Sequence, residues 1–176
     1  MAITLAFIHT GHVLIGVFAQ LAKEHLPGVD VFHMLDESLI RNTISTGGLT
    51  APTIRRLINM IESAQGGGAD AVMVTCSSIG ESVPIARRLF DFPILRVDEA
   101  MAEKAVESGG RIGVAATLRT TLEPTVALLR ETAARDKSTA VPSNSRRPSC
   151  QAASLGHCAG MHVIPQGGAR GRHKAS

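Results

Sequence analysis

Aromatic residues are scarce in this chain of 176 residues, which contains five phenylalanines and neither tryptophan nor tyrosine. The core must therefore be built mainly from aliphatic side chains, and a chain of this length is long enough to bury one. No run of eighteen or more apolar residues occurs, so we expect no membrane-spanning segment. The N-terminal residues also lack the basic stretch and the small-residue cleavage site of a signal peptide.

Cysteine is rare as well, with three residues whose spacing forms no disulfide framework. An odd number of cysteines without such spacing is typical of a reducing compartment, so we expect a cytoplasmic protein. Cys150, His157 and Cys158 do not have the spacing of a zinc site, and no metal is expected there.

The balance of charge changes sign near residue 135. Residues 1–135 hold twelve Lys and Arg against fourteen Asp and Glu, whereas residues 136–176 hold six against one. Basic tails can bind nucleic acid through phosphates, but this one has no aromatic side chain to stack on a base. We therefore expect no nucleic-acid partner.

Short apolar runs alternate with helical patterns along residues 1–135. The runs lack an apolar–polar alternation, as expected for parallel strands covered on both faces, and the segments between them repeat apolar residues at helical spacing. This order predicts an α/β fold with a Rossmann-like parallel sheet and flanking helices. It also predicts a helix over residues 82–90, a helix capped by Asp98, and a last helix with Pro124 in its first turn.

The pattern ends beyond residue 135. Only five of the last forty-one residues are Leu, Ile, Val, Met or Phe, and neither the strand nor the helix period is visible. Such a segment buries too little apolar surface to offset its ordering entropy, so residues 136–176 are predicted to be a disordered basic tail.

Polar side chains follow several of the predicted strands. The segment TCSS at residues 75–78 follows the third strand, Thr10 follows the first, and Thr117 follows the fifth. Ligands of parallel sheets bind outside the carboxyl ends of the strands, where free backbone N–H groups favour an anion such as a carboxylate. Cys76 could be a half-buried structural thiol, but its position between hydroxyls at a strand end favours a chemical role. No glycine-rich loop with a lysine follows a strand, so nucleotide binding is not expected.

Three segments together resemble the aspartate/glutamate/hydantoin racemase superfamily. They are VMVTCSSIGESV at residues 72–83, GGLTAPTIRRL at 47–57 and RIGVAATLRTTLEPT at 111–125. The resemblance covers residues 3 to about 133 and does not extend into residues 136–176. It implies a two-domain racemase-type fold, in which residues 1–109 are the first α/β domain and residues 110–135 are one strand and one helix of a truncated second domain.

The resemblance implies proton transfer at the α-carbon of a small carboxylate, an amino acid or a related compound, without a metal or organic cofactor. In the family one cysteine from each domain faces the α-carbon, and Cys76 matches the first of them as catalytic acid/base. The positions implied to bind substrate are Thr10, Ser77, Ser78, Thr117, Thr120 and Thr121. Family members often form dimers, so a homodimer is one expected assembly.

The tail holds no strand that could carry the second cysteine of the family, so the second acid/base stays open. Some members of the superfamily use one cysteine, and a decarboxylase, a cis–trans isomerase and an inactive truncated fragment therefore stay open beside a racemase. The tail has the Arg, Pro, Ser, Ala, Gly and His composition of a GC-rich strand read out of frame. We hypothesise a frameshift near codon 136, and we expect the chain as written to be inactive.

Overall fold

A computed structural model describes the backbone of residues 2–109, 111–139, 149–154 and 162–166, and the side chains of residues 2–109 and 111–136. Its contacts divide the chain into two compact units, Met1–Glu99 and Ala100–Ser176. This division falls ten residues before the domain boundary expected from the sequence. The two units are described separately.

The first unit alternates strands and helices along its whole length. Its elements are β1 (Ile3–His9), α1 (Val13–His25), β2 (Val29–Leu35), α2 (Glu37–Thr46), α3 (Ala51–Gly66), β3 (Ala71–Val74), a 3-10 helix (Ser77–Ser82), α4 (Val83–Ala86) and β4 (Ile94–Arg96). The four strands form one parallel sheet in the order β2-β1-β3-β4. The predicted α/β fold with a parallel sheet and flanking helices is thereby confirmed.

The sheet of the first unit is apolar on both faces because helices cover both sides. One face packs into the larger core, whose strand and helix residues include Ala6, Ile8, Leu39, Leu57, Ile61, Val72 and Val74. The other face is covered by α1 and packs Leu5 and Phe7 against Phe18 and Ala22. Burial on both faces explains why the strands read as continuous apolar runs.

Local signals set the start of the two helices on the larger core. Asp36 is the N-cap of α2, and its carboxylate accepts a hydrogen bond of 2.9 Å from the Ser38 N–H. Thr50 is the N-cap of α3, and its hydroxyl accepts from the Thr53 N–H. These short polar side chains satisfy N–H groups that the first helical turn leaves without partners. Helix α2 ends at Gly47, whose φ of 72° suits glycine.

Residues 77–90 differ from the single helix expected over residues 82–90. The chain winds into the 3-10 helix Ser77–Ser82 and then makes only one α-helical turn, Val83–Ala86, with Pro84 in its first positions. The segment therefore stays close to the end of β3 instead of running back along the sheet.

The second unit contains most of α5 (Glu99–Glu107), β5 (Arg111–Ala116), α6 (Arg119–Thr139), β6 (Ser149–Ser154) and β7 (His162–Gln166). Strand β5 is central, with β6 parallel and β7 antiparallel to it. Its core packs α5 and α6 on β5 through residues that include Ala102, Val106, Ile112, Val114 and Leu129. Pro124 lies inside α6, in its second turn, and not in the first turn as expected.

The tail differs from its expectation at three segments, although the sequence pattern predicts no regular structure beyond residue 135. Helix α6 continues to Thr139, and β6 and β7 pair with β5. The expectation for residues 140–148, 155–161 and 167–176 falls outside the described residues. Within the part of the chain that the structure describes, no helix combines the length and the apolar character needed to cross a membrane.

The larger core makes a prediction about stability. Leu39 is fully buried on α2, so Leu39→Ala should lower the free energy of unfolding by about 2–5 kcal/mol. Ile44 lies on the same helix with 47% of its surface exposed, and Ile44→Ala should cost less than about 0.5 kcal/mol. Urea unfolding followed by circular dichroism measures both changes. Equal losses for the two variants would contradict this packing of α2.

Candidate active site

The carboxyl ends of the strands in the first unit meet at one edge of the sheet. The N–H of Asp36, just past β2, donates to the carbonyl of His9 at the end of β1 (3.1 Å). The Thr75 N–H past β3 donates to the Ile8 carbonyl (3.0 Å), and the Val97 N–H past β4 donates to the Val74 carbonyl (3.1 Å). The segments after all four strands therefore begin side by side.

Cys76 lies at this edge, two residues past the end of β3. Its backbone is extended, with φ −123° and ψ 115°, and it is the N-cap of the 3-10 helix Ser77–Ser82. Its thiol is free and half-buried, and its side chain packs against the larger core. The Cys76 carbonyl accepts a hydrogen bond of 3.2 Å from the Ile79 N–H, which closes the first turn of the helix. The thiol is thus held by a short, well-defined turn.

The predicted binding residues of the first unit lie at the same edge. Thr10 is buried directly after β1, Ser77 is half-buried, and Ser78 is buried. Thr10 follows Ile8 by two residues, so the alternation of β1 puts it on the face of the larger core, where Cys76 also lies. Register places Ile8 beside Val74, and Thr10 therefore ends the strand next to the one that leads to Cys76. Thr10, Cys76, Ser77 and Ser78 therefore follow two neighbouring strands at one edge of the sheet.

The three remaining predicted residues belong to the second unit. Thr117 is exposed just past β5, and Thr120 and Thr121 are half-buried in the first turn of α6. The hydroxyl of Thr120 is buried and has no hydrogen-bond partner among the described residues. These threonines occupy the carboxyl end of β5, the position in their own unit that Cys76 and Thr10 occupy in the first.

On the opposite face of the sheet, His9 is fully buried and joins a chain of hydrogen bonds. Its Nδ1 lies 2.8 Å from Thr75 Oγ1, and its Nε2 lies 2.9 Å from His33 Nδ1. The Thr75 hydroxyl donates its one proton to the Ile8 carbonyl (3.0 Å), so it can only accept from His9. His9 therefore carries its proton on Nδ1, and its Nε2 accepts from the Nδ1–H of His33. In this network of His33, His9, Thr75 and the Ile8 carbonyl, each hydrogen bond therefore has a defined donor and acceptor.

Burial sets the protonation of these histidines. Burial, and secondarily the nearby His33, lowers the pKa of His9 from 6.5 to about 4. Burial also lowers the pKa of His33. Both rings stack with Phe7, at centroid distances of 6.0 Å for His9 and 5.3 Å for His33, which leaves little water around them. The hydrogen-bond network that holds Thr75, the residue before Cys76, is consequently intact near neutral pH.

Sequence reasoning did not assign a role to two charged residues at the same edge. Arg96 and Asp98, at the end of β4, form a buried ion pair. Asp98 lies directly before α5, where the sequence predicts a helix cap, and its carboxylate accepts two hydrogen bonds from Arg96. A charged residue that closes the apolar run FPIL at residues 92–95 is the signal that could have found this pair. Within the described residues, no three His, Cys, Asp or Glu side chains cluster closely enough to hold a metal ion.

Comparison with known proteins identifies the family to which this architecture is similar. A family model described as Asp/Glu/Hydantoin racemase matches residues 10–162. The match supports the expected superfamily, but it continues past residue 133, where the resemblance was expected to end, into the tail. No curated protein matches the chain.

Among solved structures, the chain is similar to glutamate racemase from Aquifex pyrophilus, with a TM-score of 0.60 and 15% sequence identity. The similarity covers 85% of this chain and 55% of the glutamate racemase. At this identity the likeness shows the fold alone. The chain thus spans little more than half the length of that structure.

The buried histidine predicts a pH dependence of stability. The folded pKa of His9 lies below its unfolded value, so between pH 6.5 and about 4 the unfolded chain binds a proton that the folded chain does not. The free energy of unfolding should therefore fall as the pH drops through this window, and His9 should account for about 3 kcal/mol of the fall. Below pH 4 the contribution of His9 should no longer change with pH. His33 acts in the same direction. Urea unfolding at a series of pH values measures the change.

Two variants serve to attribute this change to His9. His9→Asn does not titrate and keeps an N–H donor near the position of Nδ1, so its stability profile should be flatter between pH 6.5 and 4. His25→Asn removes an exposed histidine and should leave the wild-type profile in place. A wild-type slope that persists in His9→Asn would show that another group is responsible.

Proposed function

Because the chain belongs to the Asp/Glu/Hydantoin racemase family, we propose that it is a cofactor-independent isomerase that moves a proton at the α-carbon of a small carboxylate. The observation that carries the proposal is the free, half-buried thiol of Cys76 at the carboxyl edge of the sheet. Ligands of parallel α/β sheets bind at this edge. The family match and the fold support the class of reaction, and the thiol supplies a group able to perform it.

In this proposal Cys76 is the acid/base on one face of the substrate. As a thiolate it removes the α-proton, and as a thiol it returns one to the same carbon. Removal of the proton leaves an enediolate-like charge on the substrate carboxylate, which preorganised donors stabilise. Thr10, Ser77 and Ser78 are the donors that we assign to the carboxylate, because they lie at the same edge as the thiol.

Inversion requires a second acid/base on the opposite face. We assign Thr117, Thr120 and Thr121 to the substrate from the second unit, since they follow β5 as Cys76 and Thr10 follow their strands. A protein that protonates one face only would be a decarboxylase, and one that acts on an unsaturated diacid would be a cis–trans isomerase.

Hydrogen exchange tests the role of Cys76. The proposal departs from the expectation that the chain as written is inactive, because the family match extends into the tail. In deuterium oxide, the wild type should therefore replace the α-proton of aspartate, glutamate or a 5-substituted hydantoin by deuterium, as followed by NMR. Cys76→Ala should lower this rate by about 100-fold or more, because alanine has no group to take the proton. Cys150→Ala is the matched control, since it removes another thiol to which we assign no role. Exchange at the wild-type rate in Cys76→Ala would contradict the proposal.

Assays with two other substrates separate the alternative reactions. Release of carbon dioxide from a substituted malonate would identify a decarboxylase, and conversion of maleate to fumarate would identify a cis–trans isomerase. A folded wild type that acts on none of these compounds would favour the inactive fragment.

The carboxylate donors can be tested with isosteric substitutions. Thr10→Val keeps the shape of a buried side chain but removes its hydroxyl, and should lower kcat/KM for exchange roughly tenfold. Thr43→Val is the control, because this buried hydroxyl donates to the Leu39 carbonyl of its own helix (2.8 Å) and has no assigned role in the reaction. Equal kcat/KM values for Thr10→Val and wild type would remove Thr10 from the site.

A further inference from the structure

A buried ion pair lies on the strand next to the one that carries Cys76. The Nε–H of Arg96 donates to Asp98 Oδ1 (2.8 Å), and its Nη2–H donates to Oδ2 (2.9 Å). The two side chains are 4% and 0% exposed. Two parallel hydrogen bonds fix the plane of the guanidinium as well as its position. Burying such a pair is costly and adds little to stability compared with apolar residues, so its presence calls for another explanation.

The guanidinium of Arg96 rests against Gly80 of the 3-10 helix. A Cβ atom at position 80 would lie 2.6 Å from Nη2 and 2.8 Å from both Cζ and Nε of Arg96. The φ of Gly80 is not in the left-handed region, so space and not backbone conformation requires the glycine. The helix and the guanidinium are therefore in direct contact, with no room for a side chain between them.

The end of an arginine side chain usually moves aside at little cost, but this one does not have that freedom. Its two hydrogen bonds to Asp98 and its burial hold the guanidinium in place. The position of Gly80 is thus set by a fixed surface, and not by a side chain that adapts to it. Gly80 is four residues from Cys76, within one 3-10 helix whose first turn is closed by the Cys76 carbonyl.

We infer that Arg96 is a positioning residue, which holds the 3-10 helix and through it places the Cys76 thiol at the carboxyl edge of the sheet. Asp98 acts indirectly, because it fixes the guanidinium of Arg96. The effect on catalysis rests on the proposed function, whereas the effect on the thiol does not. A second bidentate pair, Arg87 with Glu99 (2.8 and 2.7 Å), supports the same strand end, because Glu99 also accepts a hydrogen bond from the Arg96 backbone. Arg88, an exposed arginine of the segment before β4, therefore serves as the comparison.

The test measures the thiol directly. The full chain is alkylated with iodoacetamide over a range of pH, and modification of Cys76 is followed by mass spectrometry of its peptide. Arg96→Lys keeps the positive charge but loses the planar two-bond geometry, and should change the Cys76 alkylation rate by about threefold or more. Gly80→Ala should do so as well, because its methyl group would clash with the fixed guanidinium and displace the 3-10 helix. Arg88→Lys, the matched control at an exposed arginine, should leave the rate unchanged.

A double variant and a folding control complete the experiment. If Gly80 and Arg96 act through one contact, the effects of Gly80→Ala and Arg96→Lys should be non-additive in the double variant. Circular dichroism and urea unfolding show whether each variant is folded. Asp98→Asn, which keeps the shape of the carboxylate, replaces Arg96→Lys where the latter does not fold. An unchanged Cys76 alkylation profile in folded Arg96→Lys or Asp98→Asn would overturn the inference.

The kinetic arm separates this inference from the proposed function. If both hold, Arg96→Lys should lower kcat for α-proton exchange by about tenfold, with KM largely retained, because the base is misplaced while the carboxylate donors remain. Altered alkylation in a wild type without exchange activity would leave the positioning role standing and remove the function. Exchange that depends on Cys76 but is unchanged in Arg96→Lys would support the proposed function and remove the positioning role of Arg96.

Discussion

The pairing of β1 along both of its edges determines where every candidate residue of the first unit lies. Strand β1 pairs with β2 over seven residues and with β3 over four, both in parallel. Its last two carbonyls accept the N–H groups of Thr75 and Asp36, so the neighbouring segments leave the sheet at the same height. A shift of one residue in the register of β1 would exchange the faces of His9 and Thr10. Each face of the sheet would then bury the side chains that now lie on the other.

The end of β3 has two different chemical faces as a result. Thr75 points to the face of α1, where its hydroxyl donates to Ile8 and accepts from His9, so its hydrogen bonds are fully used. Cys76 points to the other face and keeps a free thiol. A buried histidine is tolerated beside this strand end because both of its ring nitrogens have partners, which removes the main cost of burying a polar group. The hydrogen bonds on the face of α1 thus hold the residue before Cys76, whose role on the other face is the one proposed above.

Local patterns carry the part of this structure that the sequence alone predicts. The apolar runs locate the strands, and the rule for strand ends then selects Thr10, Cys76 and Thr117. Contacts between residues far apart in the chain are not predictable in this way. His9 meets His33 only through the register of β1 with β2, and Arg96 meets Gly80 only because β4 pairs with β3. Strands β6 and β7 are paired with β5 although their own sequences show no strand period, since tertiary pairing overrides weak local preference.

The ion pair of Arg96 and Asp98 contributes to the position of the 3-10 helix in a way that its contribution to stability does not explain. Apolar side chains of similar volume would fill the same space at lower cost, because they require no desolvation of charge. They would not, however, present a flat, fixed surface to the backbone of the 3-10 helix, since an aliphatic side chain has several rotamers of similar energy. The two hydrogen bonds that Arg96 donates to Asp98 remove this freedom from the guanidinium. A site whose base must lie within a fraction of an ångström of its substrate proton gains more from such a fixed surface than from added stability.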